Sequence, residues 1–147
     1  MKRTSFEGNP CPIAQSLDVI GDWWSLLIIR AGLTGARRFG EFQRELGLAK
    51  NILSARLRML AAHGLIEAKP AADGGAHQEY LLTAKGRGLF HTLVALRQWS
   101  EEFLIDPDEP HSQLLERATG EPVGRLQLHA RDGRVLEAAD TMVKRVS

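Results

Sequence analysis

Between Phe39 and Gly64 the chain carries two helical patterns separated by a three-residue turn, and this spacing constrains the fold more than any other feature. From Phe39 to Leu46, the residues Phe39, Phe42 and Leu46 share one face while Glu41, Gln43 and Arg44 occupy the other. Gly47 stops this helix. After the turn, Lys50 to His63 forms a second helix, closed by Gly64 at its C-terminus. Two helices joined by three or four residues, with glycine in the turn, are the signature of a helix-turn-helix.

The flanking sequence extends the pattern. Asn9 is predicted to cap a first helix that has Pro12 near its start and Ile13, Leu17, Val19 and Ile20 as its apolar stripe, with Gly21 breaking it. Asp22 then caps a helix through Trp23-Trp24-Ser25-Leu26-Leu27-Ile28-Ile29-Arg30, apolar nearly all round and so expected to be buried, with Gly32 and Gly35 at its end. Downstream, Leu65 to Lys69 reads as a strand, 70–76 as a turn-rich tip, and Gln78 to Leu82 as a returning strand, which makes a β-hairpin. Thr83 is predicted to cap one long helix to about Leu104, with Leu89, Phe90, Leu93, Leu96, Trp99, Ser100 and Phe103 at helical spacing. Helix, helix-turn-helix, hairpin and helix in that order make a winged helix-turn-helix: mainly α with a small β-hairpin wing, an α+β fold.

This reading assigns residues 1–104 to a winged helix-turn-helix domain and 105–147 to a C-terminal appendage. The composition shifts at Asp106-Pro107-Asp108-Glu109-Pro110. Residues 111–119 are expected to add a short helix. Arg125 to Ala138 alternates loosely about Asp132-Gly133, a dipeptide that favours a two-residue hairpin turn.

Charge distribution indicates a partner. The net charge is only +1, yet 37–58 holds six basic residues (Arg37, Arg38, Arg44, Lys50, Arg56, Arg58) against Glu41 and Glu45. Such a patch suits a polyanion. Helical geometry then separates the two arginines of Arg56-Leu57-Arg58, because each residue advances about 100° and the pair points about 200° apart. With Leu53, Leu57 and Leu60 buried, Asn51, Ala55, Arg58 and Ala62 lie opposite and Ser54 on the shoulder. Arg56 falls on the border of the apolar stripe, where its methylenes can cover the core while its guanidinium pairs with an acid or reaches a phosphate. In a helix-turn-helix the N-terminal residues of the second helix meet base edges in the major groove. Asn51 suits adenine, Arg58 guanine, Ser54 a phosphate or base, and Ala55 the groove floor or a thymine methyl. A polar helix face taken alone is more often simply solvated; here the preceding helix, glycine turn and wing all point to duplex DNA.

Other classes fit poorly. Met1-Lys2-Arg3-Thr4-Ser5-Phe6 is followed by no apolar signal core, and the longest apolar run, Leu26 to Ile29, is too short to span a bilayer, so a cytoplasmic location and no membrane partner are expected. One cysteine excludes an intramolecular disulfide, and the five scattered histidines suggest no metal site. No nucleophile–base set or phosphate-binding glycine loop is present, so no catalytic residue, enzyme activity or cofactor is expected. A winged helix serving only protein–protein contact is the remaining alternative, and salt-dependent DNA binding separates it from a DNA-binding one.

These residues resemble the HxlR-type winged helix-turn-helix transcriptional regulators of bacteria and archaea. The resemblance runs from Cys11 to about Leu104, on Cys11-Pro12, Leu17-Asp18-Val19-Ile20-Gly21, Trp24 with Leu27-Ile28, and Gly35 with Arg38-Phe39-Gly40-Glu41-Phe42. It continues through Leu53-Ser54, Arg56-Leu57-Arg58, Leu60, Gly64-Leu65-Ile66, Glu79-Tyr80, Leu82-Thr83, Lys85-Gly86, Leu96 and Trp99. It implies a homodimer on an inverted-repeat operator, acting as repressor or activator, with dimer contacts from the first and last helices: Ile13, Leu17, Leu93, Leu96, Trp99 and Phe103. The expected DNA-binding set is Arg38, Lys50, Asn51, Ser54, Ala55, Arg56 and Arg58, with Lys69 and His77 on the wing. Many relatives carry wing arginines, whereas this tip reads Ala71-Ala72-Asp73-Gly74-Gly75-Ala76, so a weak minor-groove grip is expected. Ala49 stands where a serine N-cap is common.

Cys11 admits two readings. Some family members use a cysteine here to sense electrophiles or oxidants, and a helix N-terminus, with Lys2 and Arg3 nearby, lowers a thiol's pKa. Otherwise Cys11 is a small apolar residue packing the first helix. Trp23 and Trp24 likewise could line a small-molecule pocket or fill the core.

Overall fold

The computed structural model describes residues 4–145, so Lys2 and Arg3 lie outside the described residues. Its contacts divide the chain into two units, one ending at Leu93 and the other beginning at Val94. The division falls within the last long helix rather than after it at 104. Each unit is described in turn.

The first unit runs through α1 (Pro12–Ile20), α2 (Ser25–Leu33), α3 (Phe39–Leu46), α4 (Lys50–Ala62), β1 (Ile66–Pro70), β2 (Gln78–Leu82) and α5 (Ala84–Arg87), and ends in the first turn of α6 (Phe90–Phe103). This is the winged helix-turn-helix. Its core joins Ile28 and Ile29 of α2, Phe42 of α3, and Leu53, Leu57 and Leu60 of α4, each at most 2% exposed. Leu48 of the turn and Leu65 and Ile66 of the wing complete it. Truncating one such leucine to alanine costs about 2–5 kcal/mol, so the inner face of α4 is firmly held in the domain. The turn between α3 and α4 depends on Gly47, whose φ of 68° is a left-handed conformation that a side chain would strain.

Helix starts follow the sequence in one case and depart from it in another. The Asp22 carboxylate accepts the N–H groups of Trp24 and Ser25, both at 2.9 Å, and the Ser25 hydroxyl, so it holds the start of α2 as expected, although the helix begins at Ser25 and Trp24 takes the N-cap position without a side-chain bond. Asn9 does not cap α1. Its side chain accepts the Cys11 N–H at 2.9 Å in a local turn, and Cys11 takes the N-cap position without a side-chain bond because the helix begins at Pro12. Helix α2 also continues through Gly32 rather than ending there. Gly32 packs on Leu82 of the wing, where a Cβ would come within 3.0 Å of that side chain. Trp24 packs against the core, whereas Trp23 precedes the helix and is 88% exposed.

Strands β1 and β2 pair antiparallel from Ile66↔Leu82 to Pro70↔Gln78. The segment before α3 adds to them: Tyr80 N–H donates to the Arg37 carbonyl at 2.7 Å, and Arg38 bridges Glu79. The wing is thereby tied to the first helix of the helix-turn-helix, an attachment reinforced by the edge-on contact of Phe42 and Tyr80, 6.5 Å between centroids. The expected single helix from Thr83 to Leu104 is two. Thr83 caps only α5, accepting the Gly86 N–H at 3.1 Å, and the chain turns at Gly88 before α6 begins. Two glycines in five residues weaken a continuous helix. Gly86 is also needed where it stands, since a Cβ there would lie 2.2 Å from the Leu65 carbonyl oxygen.

In the second unit the remainder of α6 holds the following segment through polar contacts. The Gln98 amide accepts the Leu126 N–H at 2.8 Å and donates to the Gly124 carbonyl at 3.1 Å. Arg97 donates to the Ser112 carbonyl at 2.8 Å, and Glu102 pairs with Arg125 at 2.8 Å. The helix expected at 111–119 is absent. There the chain doubles back, with Leu115 bridging Pro122, the Glu116 N–H on the Glu121 carbonyl and the Val123 N–H on the Leu114 carbonyl, a pairing that commits 114–116 to an extended path. Strands β3 (Leu128–His129) and β4 (Val135–Leu136) form the expected hairpin. Its loop holds three residues rather than two: the Ala130 N–H donates to the Arg134 carbonyl, and Gly133 alone in the loop has positive φ, 95°, whereas a two-residue turn needs it at Asp132 as well.

Candidate nucleic-acid interface

Helix α4 separates its two faces as its sequence predicts. Leu53, Leu57 and Leu60 are buried, while Lys50, Asn51, Ala55 and Arg58 are exposed and Ser54 half-buried. The two arginines part accordingly. Arg58 stands in solvent; the Arg56 side chain is 31% exposed, with its guanidinium 3.7 Å from Asp22 and 3.6 Å from the Met59 sulfur. Of the two partners open to Arg56, an acid or a phosphate, the structure has it on the acid. Burial pushes the Asp22 carboxyl up, but the Ser25 hydroxyl, the N–H groups of Trp24 and Ser25 and the Arg56 charge outweigh it and hold Asp22 below the ordinary aspartate range.

The two ends of α4 differ. At its start Ala49 is an N-cap without a side-chain bond. At its end the Thr83 hydroxyl donates to the Gly64 carbonyl and the Lys85 ammonium to the His63 carbonyl, each at 2.6 Å. Cations and hydroxyls at a helix C-terminus satisfy carbonyls that would otherwise lack partners. Thr83 and Lys85 therefore orient the exposed face without being part of it. Sequence reasoning placed Thr83 only as the cap of the next helix and gave Lys85 no role, although Leu82-Thr83-Ala84-Lys85-Gly86 was the available signal.

The wing differs from the helix. Arg38 donates to a carboxylate oxygen of Asp73 at the wing tip, 2.8 Å away, and Lys69 pairs with Glu67 at 3.5 Å. Asp73 is held below its ordinary range by the Gly75 N–H and by Arg38, and the Arg38 guanidinium is correspondingly raised by Asp73. Glu41 turns back to accept the N–H groups of Arg38 and Arg37, which lowers its pKa. Arg38, Arg44, His77, Gln78 and Tyr80 line a groove of about 430 Å³ between the start of α3 and the wing. Among the described residues Lys50 and Arg58 make no ion pair within 4.0 Å, unlike Arg38 and Lys69.

The model of the HxlR-like helix-turn-helix family matches residues 19–108 of this chain. The chain belongs to the HxlR-like family. It is 40% identical over 116 residues to an uncharacterized HTH-type transcriptional regulator of Mycobacterium tuberculosis, covering 79% of this chain and 72% of the relative. It is similar to the crystal structure of PA1607, described as a candidate transcription factor, with a TM-score of 0.92, 57% identity, and 97% of this chain and 100% of the other covered. It is also similar to the reduced form of the transcriptional regulator YodB of Bacillus subtilis, with a TM-score of 0.58 and 26% identity over 67% of this chain and 98% of the other. The redox regulator HypR in its oxidized form gives a TM-score of 0.57 at 31% identity, covering 65% of this chain and 100% of the other. The protein is thus a transcriptional regulator with a winged helix-turn-helix, as the relatives it matches are named.

The remaining residues singled out in this HxlR-like chain fall in different places. Ile13 and Leu17 of α1 and Leu96, Trp99 and Phe103 of α6 are exposed. Leu93 packs instead against the core of the first unit, so its burial within the monomer is already accounted for. Cys11 is exposed at the start of α1. Among the described residues no helix is long and apolar enough to cross a membrane.

Proposed function

We propose that this HxlR-like regulator represses transcription by binding an inverted-repeat operator as a homodimer, with α4 in the major groove. One observation carries the reading: Lys50, Asn51, Ala55 and Arg58 share the exposed face of a helix whose opposite face is buried and whose end is held by Thr83 and Lys85. Lys50 meets the phosphate backbone, Asn51 and Arg58 supply the donors that match adenine and guanine edges, and Ala55 and Ser54 leave room for the groove floor. The exposed apolar residues of α6, with Trp99 53% and Phe103 66% exposed and their rings 6.2 Å apart, support a second copy as the partner, since an inverted repeat mirrors a two-fold axis. Fluorescence anisotropy on duplexes from the protein's own upstream region tests this. Tight, sequence-dependent binding that falls steeply with salt and is weakened in Arg58→Ala is expected; binding indifferent to sequence or to Arg58 contradicts it.

A thiol-reactive effector is a second reading, favoured by the exposure of Cys11 at a helix start and by the likeness to regulators solved in reduced and oxidized forms. Treatment with diamide should weaken operator binding of the wild type and leave Cys11→Ser unaffected. Equal responses of the two proteins would remove Cys11 from regulation.

A further inference from the structure

Arg38 was expected among the DNA-binding residues, yet its guanidinium already holds a carboxylate. The Asp73 side chain occupies it at 2.8 Å, across 35 residues of sequence, with both side chains open to solvent. The other oxygen of the same carboxylate accepts the Gly75 N–H at 2.9 Å, so the turn at the wing tip aims Asp73 at Arg38. No other charged residue stands in the tip between Lys69 and His77. On the same wing, Lys69 is matched by Glu67. A carboxylate meets a guanidinium with the same geometry as a phosphate does.

Resting on the DNA-binding reading above, we propose that Asp73 is a built-in phosphate mimic that withholds Arg38 from the DNA backbone, so that the wing side adds no net positive charge to the interface. Arg38 and Asp73 then enter the complex as a neutral pair, and the contacts that hold DNA come from α4. Asp73 sets affinity by acting through Arg38 and touches no base. The sequence-independent part of binding, which every cation facing the phosphates strengthens, is correspondingly restrained.

The test uses the full-length protein in four forms: wild type, Asp73→Asn, Arg38→Ala, and the two combined. Asn keeps the oxygen that accepts the Gly75 N–H, so the tip retains its shape, and equal melting temperatures check that. Affinity and its salt dependence are measured by anisotropy on one operator duplex and one unrelated duplex. Asp73→Asn should bind both duplexes at least threefold more tightly, and its plot of log K against log salt should steepen by about 0.9, the increment for one added phosphate contact. Arg38→Ala should bind more weakly, leaving the Asp73 charge uncompensated. The double variant should match the wild type within about twofold and share its salt slope. Two results overturn the proposal: no gain in Asp73→Asn, or a double variant at least fivefold weaker than wild type, which would mean that Arg38 already grips DNA. Failure of the wild type to bind any duplex would instead refute the DNA-binding reading itself.

Discussion

Arg56→Ala and Arg58→Ala should fail in different ways, although the two residues are separated only by Leu57. The Arg56 side chain is 31% exposed and bridges α4 to Asp22, whose own side chain is 11% exposed. Removing it strips the methylenes that cover the edge of the core and leaves Asp22 with only its neutral hydrogen-bond donors. A partly exposed ion pair contributes up to about 1 kcal/mol, and the lost packing adds a similar amount, so Arg56→Ala should cost about 1–2 kcal/mol. For a chain of this size that lowers Tm by roughly 2–8 °C. Arg58 has no hydrogen bond or ion pair within the chain among the described residues, so its replacement should change stability by less than about 0.5 kcal/mol. A lost bidentate base contact costs about 1–3 kcal/mol, or roughly 5–150-fold in operator affinity. Thermal denaturation and anisotropy on the same preparations read both quantities. A Tm drop in Arg58→Ala equal to that in Arg56→Ala, or an unchanged Tm in Arg56→Ala, would refute the facing assigned to this helix.

Three other changes probe the support of α4, the exposed face of α6 and a contact within the second unit. Gly86→Ala places a Cβ 2.2 Å from the Leu65 carbonyl oxygen and should destabilise the domain by about 1–3 kcal/mol in urea denaturation, with operator binding weakened because the Thr83 and Lys85 contacts shift. Trp99→Glu should convert a dimer to monomer by sedimentation at micromolar concentration while the far-ultraviolet spectrum is preserved; a variant that stays dimeric would move the interface off α6. His111 is raised above the ordinary histidine value by the Glu109 carbonyl and by Glu101, whose carboxylate is 3.1 Å from its ring. A raised folded value means the imidazolium contact is complete below about pH 6.5 and is lost as pH rises through that raised value. Amide protection around 109–112, corrected for intrinsic exchange, should therefore fall across that window in wild type and be flat in His111→Ala.

The short-range pattern was legible and the long-range pairing was not. Helix α3 and strand β2 begin and end at the residues their periodicity indicates, because Gly47 and the turn-rich tip bound them locally. The faces of α4 follow from counting residues about a helix once Leu53, Leu57 and Leu60 are taken as buried. By contrast, the break at Gly88 interrupts a stretch whose apolar spacing alone reads as one helix, and the close approach of Gly86 to the Leu65 carbonyl beside it is a tertiary contact that spacing does not register. The doubling back of 114–123 depends on backbone pairing that helical periodicity cannot register. In the candidate interface, Arg38 reads as a cation facing DNA until its partner 35 residues away is known. Lys85 reads as a solvated charge until the end of α4 lies beneath it. The exposed set was accessible from sequence; what braces and neutralises its neighbours was not.

Footprinting of the purified protein on its own upstream region, with the stoichiometry measured on the protected duplex, tests most directly the claim that α4 reads DNA in a two-fold assembly. Two symmetry-related protected half-sites about one helical turn apart, roughly 34–36 Å, with two chains per duplex, are the predicted result. A single protected half-site with one chain bound, or no protected sequence at any salt concentration, would contradict it.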